Sequence, residues 1–357
     1  MGVRMHARRT TLPLPTWSAE SSNGLVVDIG GTKLMVAAVR AGAVAGERCF
    51  PISQFAEPAQ MMDVIAECGR QLCSESELPV RSAVVAVAGR IDRDAGTVLQ
   101  SANLPFSDYP LAAELSKRLD GATVRIEHDA ACGLIGETVG GAGRGYSNVI
   151  YLTVSTGISV GILIDGVVLN GAHGVAGELG HTPVASPGLP CPCGSWGCLE
   201  AYASGRAFAE RGRGVAADGT SPALAAVLAA RGEITAKDLL VAAQRGDDAS
   251  VAIVDHAIGL LASAIQLLVM TLDPDVLVLG GGVMSNRYFA DRVVARSQGR
   301  GGEPPRVRMA QLGASSVTYG ALAFLAGYDQ TRRNSSNGHI AFSGARLEAH
   351  SVERGAG

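Results

Sequence analysis

Two stretches of this chain share one pattern: an apolar strand, a turn of small residues and a second apolar strand. Residues 24–40 read GLVVDIGGTKLMVAAVR, and residues 148–166 read NVIYLTVSTGISVGILIDG. Runs of aliphatic and β-branched residues favour buried strands, and glycines between them permit a tight turn. Helix and strand patterns follow each unit. The repetition predicts an α/β protein built from two similar halves, with a cleft between two lobes.

The domain organisation follows from where these patterns begin and end. We predict a small N-terminal α/β lobe over residues 24–128, with a helix at 315–327 packing back on it. A large C-terminal α/β lobe is predicted over residues 129–314. Residues 1–23 and 328–357 lack an apolar periodicity, so we predict that both are flexible tails.

The overall composition argues against several classes of protein. The chain has 357 residues, of which 47% are hydrophobic, and its net charge is -3 without a basic block. This predicts large cores and no binding to nucleic acid or to an anionic membrane. The longest apolar stretch, residues 257–272, is short for a membrane span, so we predict a buried helix. The lack of an export signal and the odd cysteine count indicate the cytoplasm.

Glycine-rich turns provide candidate phosphate-binding sites. In DIGGTK, at 28–33, two glycines leave backbone N–H groups open to an anion, and a threonine and a lysine add a hydroxyl and a cation. Asp28, at the strand end, can hold a magnesium ion through water. Further turns of small residues follow at 154–159 and 280–282. Each alone is compatible with an ordinary tight turn, but together they favour a polyphosphate gripped from two sides.

Asp129, in the segment EHDA, lies where a strand pattern ends and a helical pattern begins. A carboxylate at this position is often only the N-cap of a helix. An aspartate that faces a cleft can instead accept the proton of a hydroxyl group as a phosphoryl group arrives. The local sequence leaves both interpretations open.

The most distinctive short segment is CPCGSWGC at residues 191–198, which follows His181 by ten residues. One imidazole and three thiolates suit a tetrahedral zinc ion. A redox function or incidental thiols are the alternatives, but Cys191 and Cys193 are too close along the chain for an easy disulfide. Four protein ligands leave no open position, so a zinc ion in the 181–198 loop is predicted to be structural.

These segments together resemble the ROK family (repressor, open reading frame, kinase), which has the actin-like, hexokinase-type ATPase fold. The resemblance covers about residues 24–327 and is most specific at 171–205, where a GExGH element precedes CxCGxxGCLE. It implies ATP as phosphoryl donor, Mg²⁺, a structural Zn²⁺ and a homodimer or homotetramer. The family's repressors carry a winged helix-turn-helix domain, for which residues 1–23 are too few, so the resemblance favours a kinase.

The resemblance also implies roles for individual residues. Those implied to bind the nucleotide and its phosphates are Asp28, Gly30, Gly31, Thr32, Lys33, Thr156, Gly157, Gly280, Gly281 and Gly282. Those implied to bind the substrate ring are Asn103, His128, Asp129, Glu178, His181 and Glu200, with Asp129 as the catalytic base. The implied zinc ligands are His181, Cys191, Cys193 and Cys198. His181 would thus serve both the metal and the substrate.

Three departures from the family pattern concern the substrate. His128 replaces an asparagine that is usual in glucokinase-like members, residues 103–109 read NLPFSDY instead of beginning NLPGW, and Ser155 and Ser159 replace glycines. We expect phosphorylation of a primary hydroxyl on a hexose or hexose-like ring. The alternative substrates are an amino sugar (kanosamine or N-acetylmannosamine) or a C7-cyclitol of antibiotic biosynthesis. A non-catalytic, sugar-responsive regulator is the remaining alternative.

Overall fold

The computed structural model describes residues 23–75, 79–298 and 306–328. The two predicted tails lie outside these residues, except for Asn23 and Tyr328. The elements of the first half, in chain order, are β1 (Gly24–Ile29), β2 (Lys33–Arg40), β3 (Ala43–Pro51), α1 (Pro58–Glu75), β4 (Ser82–Val87), β5 (Arg90–Asp92), β6 (Thr97–Gln100), β7 (Ser107–Tyr109), α2 (Leu111–Arg118), β8 (Thr123–His128) and α3 (Asp129–Gly140).

The second half opens with its own strand–turn–strand unit. Its elements are β9 (Val149–Val154), β10 (Ile158–Ile164), β11 (Val167–Val168), α4 (Glu200–Ala203), α5 (Gly205–Ala217), α6 (Pro222–Arg231), α7 (Ala236–Gln244), α8 (Asp248–Leu272), β12 (Val276–Gly280), α9 (Arg287–Ser297), β13 (Arg306–Met309) and α10 (Ser316–Leu325). Short 3₁₀ turns lie at Leu179–His181 and Gly313–Ser315.

Two five-stranded sheets have the same topology. The first has the order β3-β2-β1-β4-β8, and the second has the order β11-β10-β9-β12-β13. In each sheet the first three strands pair antiparallel and the last three pair parallel. The repetition in the sequence therefore corresponds to two sheets with one strand order. A small third sheet, β5-β6-β7, belongs to the first half.

Helices α3 and α10 occupy equivalent places, because each follows the last parallel strand of its sheet. Both pack in one apolar core between the sheets, with Val26 and Ala86 of the first sheet and Val278 of the second. The helices meet at glycines: a methyl group at Gly136 would overlap the carbonyl oxygen of Ser316, and one at Gly320 would overlap Cys132. This contact leaves no room for one helix to move past the other.

The predicted return of the C-terminal helix to the first half agrees with this packing. Leu322 and Phe324 of α10 lie in the shared core with first-sheet residues, and the guanidinium of Arg125 lies 4.7 Å from the Phe324 ring centroid. The division into lobes at residue 128 remains a prediction, since α3 and α10 contact both sheets.

Helix α8 is long and apolar enough, by length and composition alone, to cross a membrane. Its earlier turns pack instead in the core of the second half, where Val254, Ile258 and Leu261 are buried. The predicted buried helix is wrong for its last turns, in which Leu267 is 58% and Met270 is 85% exposed. Leu268, Val269 and Leu272 of the same turns still pack against this core, so the exposed residues lie on the outward face of the helix.

Candidate active site

One cleft, with a volume of about 490 Å³, collects every residue that the sequence suggested for nucleotide or substrate binding. The residues are Asp28, Gly30, Gly31, Thr32, Lys33, Asn103, His128, Asp129, Thr156, Gly157, Glu178, His181, Glu200, Gly280, Gly281 and Gly282. The parallel strands of each sheet end at this cleft, which is where α/β proteins bind ligands. Both halves of the chain therefore contribute to one site.

The two small-residue turns face each other across the cleft. In the first, the Gly30 N–H donates to the Lys33 carbonyl at 3.0 Å; in the second, the Ser155 N–H donates to the Gly157 carbonyl at 2.9 Å. A methyl group added at Gly31 would lie 3.1 Å from Thr156 Cγ2. Backbone from both halves can thus approach a ligand between the turns.

Asp28 lies at the end of β1, where it shares the cleft with Asp129 and Lys33. The pKa of Asp28 is raised to about 7, first by burial and second by the nearby Asp129 carboxylate, and the Lys33 ammonium offsets part of this rise. A divalent cation beside these two carboxylates would favour their ionised forms. The pair thus fits a magnesium ion, which prefers oxygen ligands and keeps water in its shell.

Asp129 is the first residue of helix α3, and its Oδ1 accepts the N–H of Ala130 at 2.7 Å. The N-cap residue is His128, and its side chain makes no capping hydrogen bond. The N-cap interpretation of Asp129 is therefore wrong, because the residue already has helical backbone and its side chain reaches the cleft. The positive end of the helix dipole favours a carboxylate there.

His128, Glu178 and His181 form a chain of polar contacts that starts at Asp129. His128 Nδ1 lies 3.4 Å from Asp129 Oδ1, and His128 Nε2 lies 3.1 Å from Glu178 Oε1. Glu178 Oε2 is 3.7 Å from His181 Nε2. His128, which replaces the usual asparagine, thus connects two carboxylates that the resemblance assigns to the base and the substrate.

The charges of His128 and Glu178 support one another. Burial alone would lower the pKa of His128, but the hydrogen bond to Glu178 and the nearby Asp129 outweigh it, so this pKa is raised. Burial alone would raise the pKa of Glu178, but the hydrogen bond and charge of His128 reverse it, so this pKa is lowered. Each of the two residues therefore favours the charged form of the other.

Glu200 differs from the other predicted ring ligands because protein groups already surround its carboxylate. It is 3% exposed, and its Oε2 accepts the N–H of Ile158 at 2.9 Å. Its Oε1 lies 3.4 Å from Arg206. Gly157 makes this possible, since a methyl group there would lie 2.5 Å from Glu200 Oε2. Glu200 therefore fixes the second turn as well as lining the cleft.

The predicted zinc ligands come together beside the cleft, with their ligand atoms within 4.8 Å of one another. Cys193 Sγ lies 3.8 Å from Cys198 Sγ, and Cys191 Sγ lies 3.6 Å from His181 Nδ1. Tetrahedral zinc with ordinary bond lengths requires S–S and S–N separations of about 3.8 Å and about 3.6 Å. These two separations match those around a tetrahedral zinc ion, and His181 Nε2 remains directed at Glu178.

Residues that the sequence did not suggest line the other end of the cleft. They come after β12 and β13, and they are Ser285, Met309, Ala310, Gly313, Ala314 and Val317. The segment 309–317 has no distinctive glycine motif. Its position was still detectable in principle, because it follows the last strand of the second half as Asp129 follows the last strand of the first.

Comparison with known proteins agrees with this geometry. The ROK family model matches residues 25–327. A glucokinase of Halalkalibacterium halodurans is 32% identical over 72% of this chain and 79% of its own length. An N-acetylmannosamine kinase of Yersinia pestis is 30% identical, over 76% of this chain and 87% of its own.

A solved structure is similar over most of the chain. It is a ROK family glucokinase from Streptomyces griseus in complex with glucose and AMPPNP, with a TM-score of 0.74 and 30% identity; the match covers 85% of this chain and 98% of that one. The predicted hexokinase-type ATPase fold is confirmed. The chain belongs to the ROK family.

Proposed function

We propose that this protein is an ATP-dependent kinase that phosphorylates a primary hydroxyl of a hexose or hexose-like ring. The observation that carries the proposal is the position of Asp129. It lies in one cleft between two anion-binding turns and a cluster of polar residues suited to sugar hydroxyls. The similar glucokinase from Streptomyces griseus, which binds glucose and AMPPNP, supports the same pairing of ligands here.

Each group in the cleft has a defined task in this proposal. Asn103, Glu178, His181 and Glu200 orient the ring, and Asp129 accepts the hydroxyl proton as the oxygen attacks the γ-phosphorus in line. The backbone N–H groups of the two turns, with Lys33, stabilise the charge on the phosphoryl group. Magnesium, held by Asp28 through water, would neutralise phosphate charge. Positioning and electrostatics then provide most of the rate.

Zinc has a structural task in this proposal. The ligands His181, Cys191, Cys193 and Cys198 fill a tetrahedral shell and leave no position for reacting water. The loop that they close begins at His181, and its last ligand lies two residues before Glu200. The ion would therefore hold both residues in place and fix His181 with Nε2 toward the substrate.

A panel assay tests the proposal directly. Release of ADP would be measured with ATP and glucose, mannose, glucosamine, N-acetylmannosamine, kanosamine and C7-cyclitols. We expect one or a few compounds to give rapid turnover, with the phosphate on the exocyclic CH₂OH group. Binding of a sugar without any ADP release from the zinc-loaded protein would instead support the regulator.

An amino sugar or a C7-cyclitol is the second candidate substrate, favoured by the His128–Glu178 ion pair. In the glucokinase pattern an asparagine occupies position 128, whereas here a larger and chargeable group hydrogen-bonds a ring-binding carboxylate. Buried polar groups that lose their partners discriminate strongly between analogues. His128→Asn should therefore shift the ratio of kcat/KM values toward glucose; an unchanged ratio would remove His128 from the determinants of specificity.

The remaining features of the molecule are proposed on the same basis. We place the kinase in the cytoplasm, as a homodimer or homotetramer, with no nucleic acid or membrane partner. Light scattering on the purified full chain would give the oligomeric state.

The two predicted lobes, divided near residue 128, are proposed to close on the substrate. Crystal structures with and without sugar would test this closure.

A further inference from the structure

The carboxylate of Glu137 is buried outside the cleft and has no task in the mechanism above. It is 0% exposed and lies on α3, eight residues after Asp129, or about 12 Å along the helix. A buried carboxylate requires hydrogen-bond donors on both of its oxygens. The positions of those donors show which segment of the chain Glu137 is hydrogen-bonded to.

Three of its donors come from one segment in the other half of the chain. Glu137 Oε2 accepts the N–H of Gln311 at 3.0 Å, and Oε1 accepts the N–H of Leu312 at 2.9 Å and the hydroxyl of Ser316 at 2.7 Å. A fourth donor, the N–H of Ala142, is local. Glu137 therefore binds the connection between β13 and α10 through both of its oxygens.

That connection forms part of the wall of the cleft, where Gly313, Ala314 and Val317 line it. It lies beside the end of β12, because β13 pairs with β12 and the Ala310 N–H donates to the Leu279 carbonyl at 2.8 Å. The segment itself begins after β13 and has only a short 3₁₀ turn, Gly313–Ser315, of its own. Its shape therefore depends on its hydrogen bonds: the N–H groups of Gln311 and Leu312 donate to Glu137, and the Ser315 N–H donates within the segment, to the Leu312 carbonyl.

We propose that Glu137 is a positioning residue for the nucleotide: it shapes the 311–316 segment and ties it to the helix that carries the catalytic base. This inference rests on the proposed function, with Gly280, Gly281 and Gly282 binding the nucleotide as the family resemblance implies. Because α3 and α10 are in backbone contact at Gly136 and Gly320, the base and the nucleotide wall share one rigid support. The sugar-binding residues lie outside this support, except for His128 and Asp129.

Binding of AMPPNP with magnesium to the full-length, zinc-loaded protein tests the proposal without knowledge of the sugar. In Glu137→Gln the amide NH₂ must face backbone N–H donors, so the segment cannot keep its shape. We expect calorimetry to show AMPPNP affinity reduced by about tenfold, the effect of leaving one buried group unsatisfied. Ser316→Ala removes a single donor and should weaken binding by about two- to threefold.

Two controls separate positioning from general loss of stability. Val139→Ala, on the same helix and in the shared core, should lower the unfolding temperature but leave AMPPNP affinity unchanged. Hydrogen exchange of residues 309–317 should rise in Glu137→Gln and not in Val139→Ala. Should Glu137→Gln fail to fold, Ser316→Ala alone carries the test through the same two measurements.

Wild-type affinity in Glu137→Gln or Ser316→Ala would overturn the inference, as would an equal loss in Val139→Ala. Failure of the proposed function is a different result, since the wild-type protein itself would then not bind AMPPNP.

Discussion

The two halves of this protein have the same strand order, yet equivalent positions have acquired different chemistry. In the first half, four residues separate the paired Ile29 and Leu34, and the turn is flanked by Asp28 and ends in Lys33. In the second half, three residues separate Val154 from Ile158, and Thr153 occupies the place of Asp28. The first turn therefore carries charged side chains, whereas the second carries backbone and hydroxyl groups.

The segments that follow the last strand of each sheet also differ in their chemistry. After β8 the chain enters α3 at once, so that Asp129 stands at a helix N-terminus in the cleft. After β13 a connecting segment precedes α10 and lines the cleft with small and apolar residues. A duplicated scaffold thus provides two equivalent edges, which the proposed function assigns to the proton acceptor and to the nucleotide. The loop at residues 181–198, which carries the predicted zinc ligands, belongs to the second half.

The largest effect should come from the residue in which the two edges differ most. Asp129→Asn removes the proton acceptor, so kcat should fall by about 10²–10⁴-fold, while calorimetry shows sugar binding largely retained. Asp94→Asn, an exposed carboxylate of the same half, should leave kcat unchanged. Turnover near the wild-type value in Asp129→Asn would show that Asp129, at the end of the first sheet, is not the catalytic base.

The second-largest effect is expected from the predicted zinc loop of the second half, residues 181–198. Cys193→Ser, or removal of the metal by a chelator, should lower the unfolding temperature by about 5 °C or more and weaken sugar binding together with it. Elemental analysis of the purified protein should find one zinc ion per chain. Cys49→Ser, an exposed thiol outside the cluster, is the matched control. Protein without zinc, or full stability in Cys193→Ser, would contradict a structural metal.

The charged turn of the first half should give stability a pH dependence. The pKa of Asp28 is about 7 in the folded protein against an ordinary 3.8, so the folded state keeps a proton that the unfolded chain releases. Stability from this residue therefore falls as pH rises from about 4 to about 7. Without ligands, Asp28→Asn should raise the unfolding temperature more at pH 8 than at pH 4.

The equivalent change in the second half, Thr153→Ala, should have the same effect at both pH values, since it removes no charge. With magnesium and ATP present the ionised form of Asp28 is needed, so kcat/KM of the wild type should rise with pH up to about 7. A pH-independent difference between Asp28→Asn and the wild type would refute this assignment of charge.

The smallest effect is expected at the start of β10, which directly follows the second turn. The Ser159 hydroxyl is buried and has no hydrogen-bond partner within the part of the chain that the structure describes. Ser159→Ala should therefore change the free energy of unfolding by no more than about 0.5 kcal/mol, and it should slightly stabilise the protein. A clear loss of AMPPNP affinity without loss of stability would show that the nucleotide binds this hydroxyl. Side chains at both turns would then contact the nucleotide.

Local patterns in the sequence predicted much of this molecule. The strand–turn–strand units appear as β1–β2 and β9–β10, and the helix at 315–327 appears as α10, because apolar periodicity and glycine placement act over short distances. The ligand set His181, Cys191, Cys193 and Cys198 was also readable, since a proline- and glycine-rich loop restricts where its sulfurs can go.

Only the tertiary structure decided which of these groups meet. It placed Asp129 within α3 instead of at its cap, paired His128 with Glu178 and surrounded Glu200 with partners. It also brought Glu137 to a segment more than 170 residues later in the chain. The sequence by itself determined the family, the repeated scaffold and the cluster of one histidine and three cysteines, which depend on neighbours along the chain. The hydrogen bonds and ion pairs around the cleft depend on how the two sheets pack around α3 and α10. That packing joins residues that are far apart in the sequence, so no local sequence pattern predicts it.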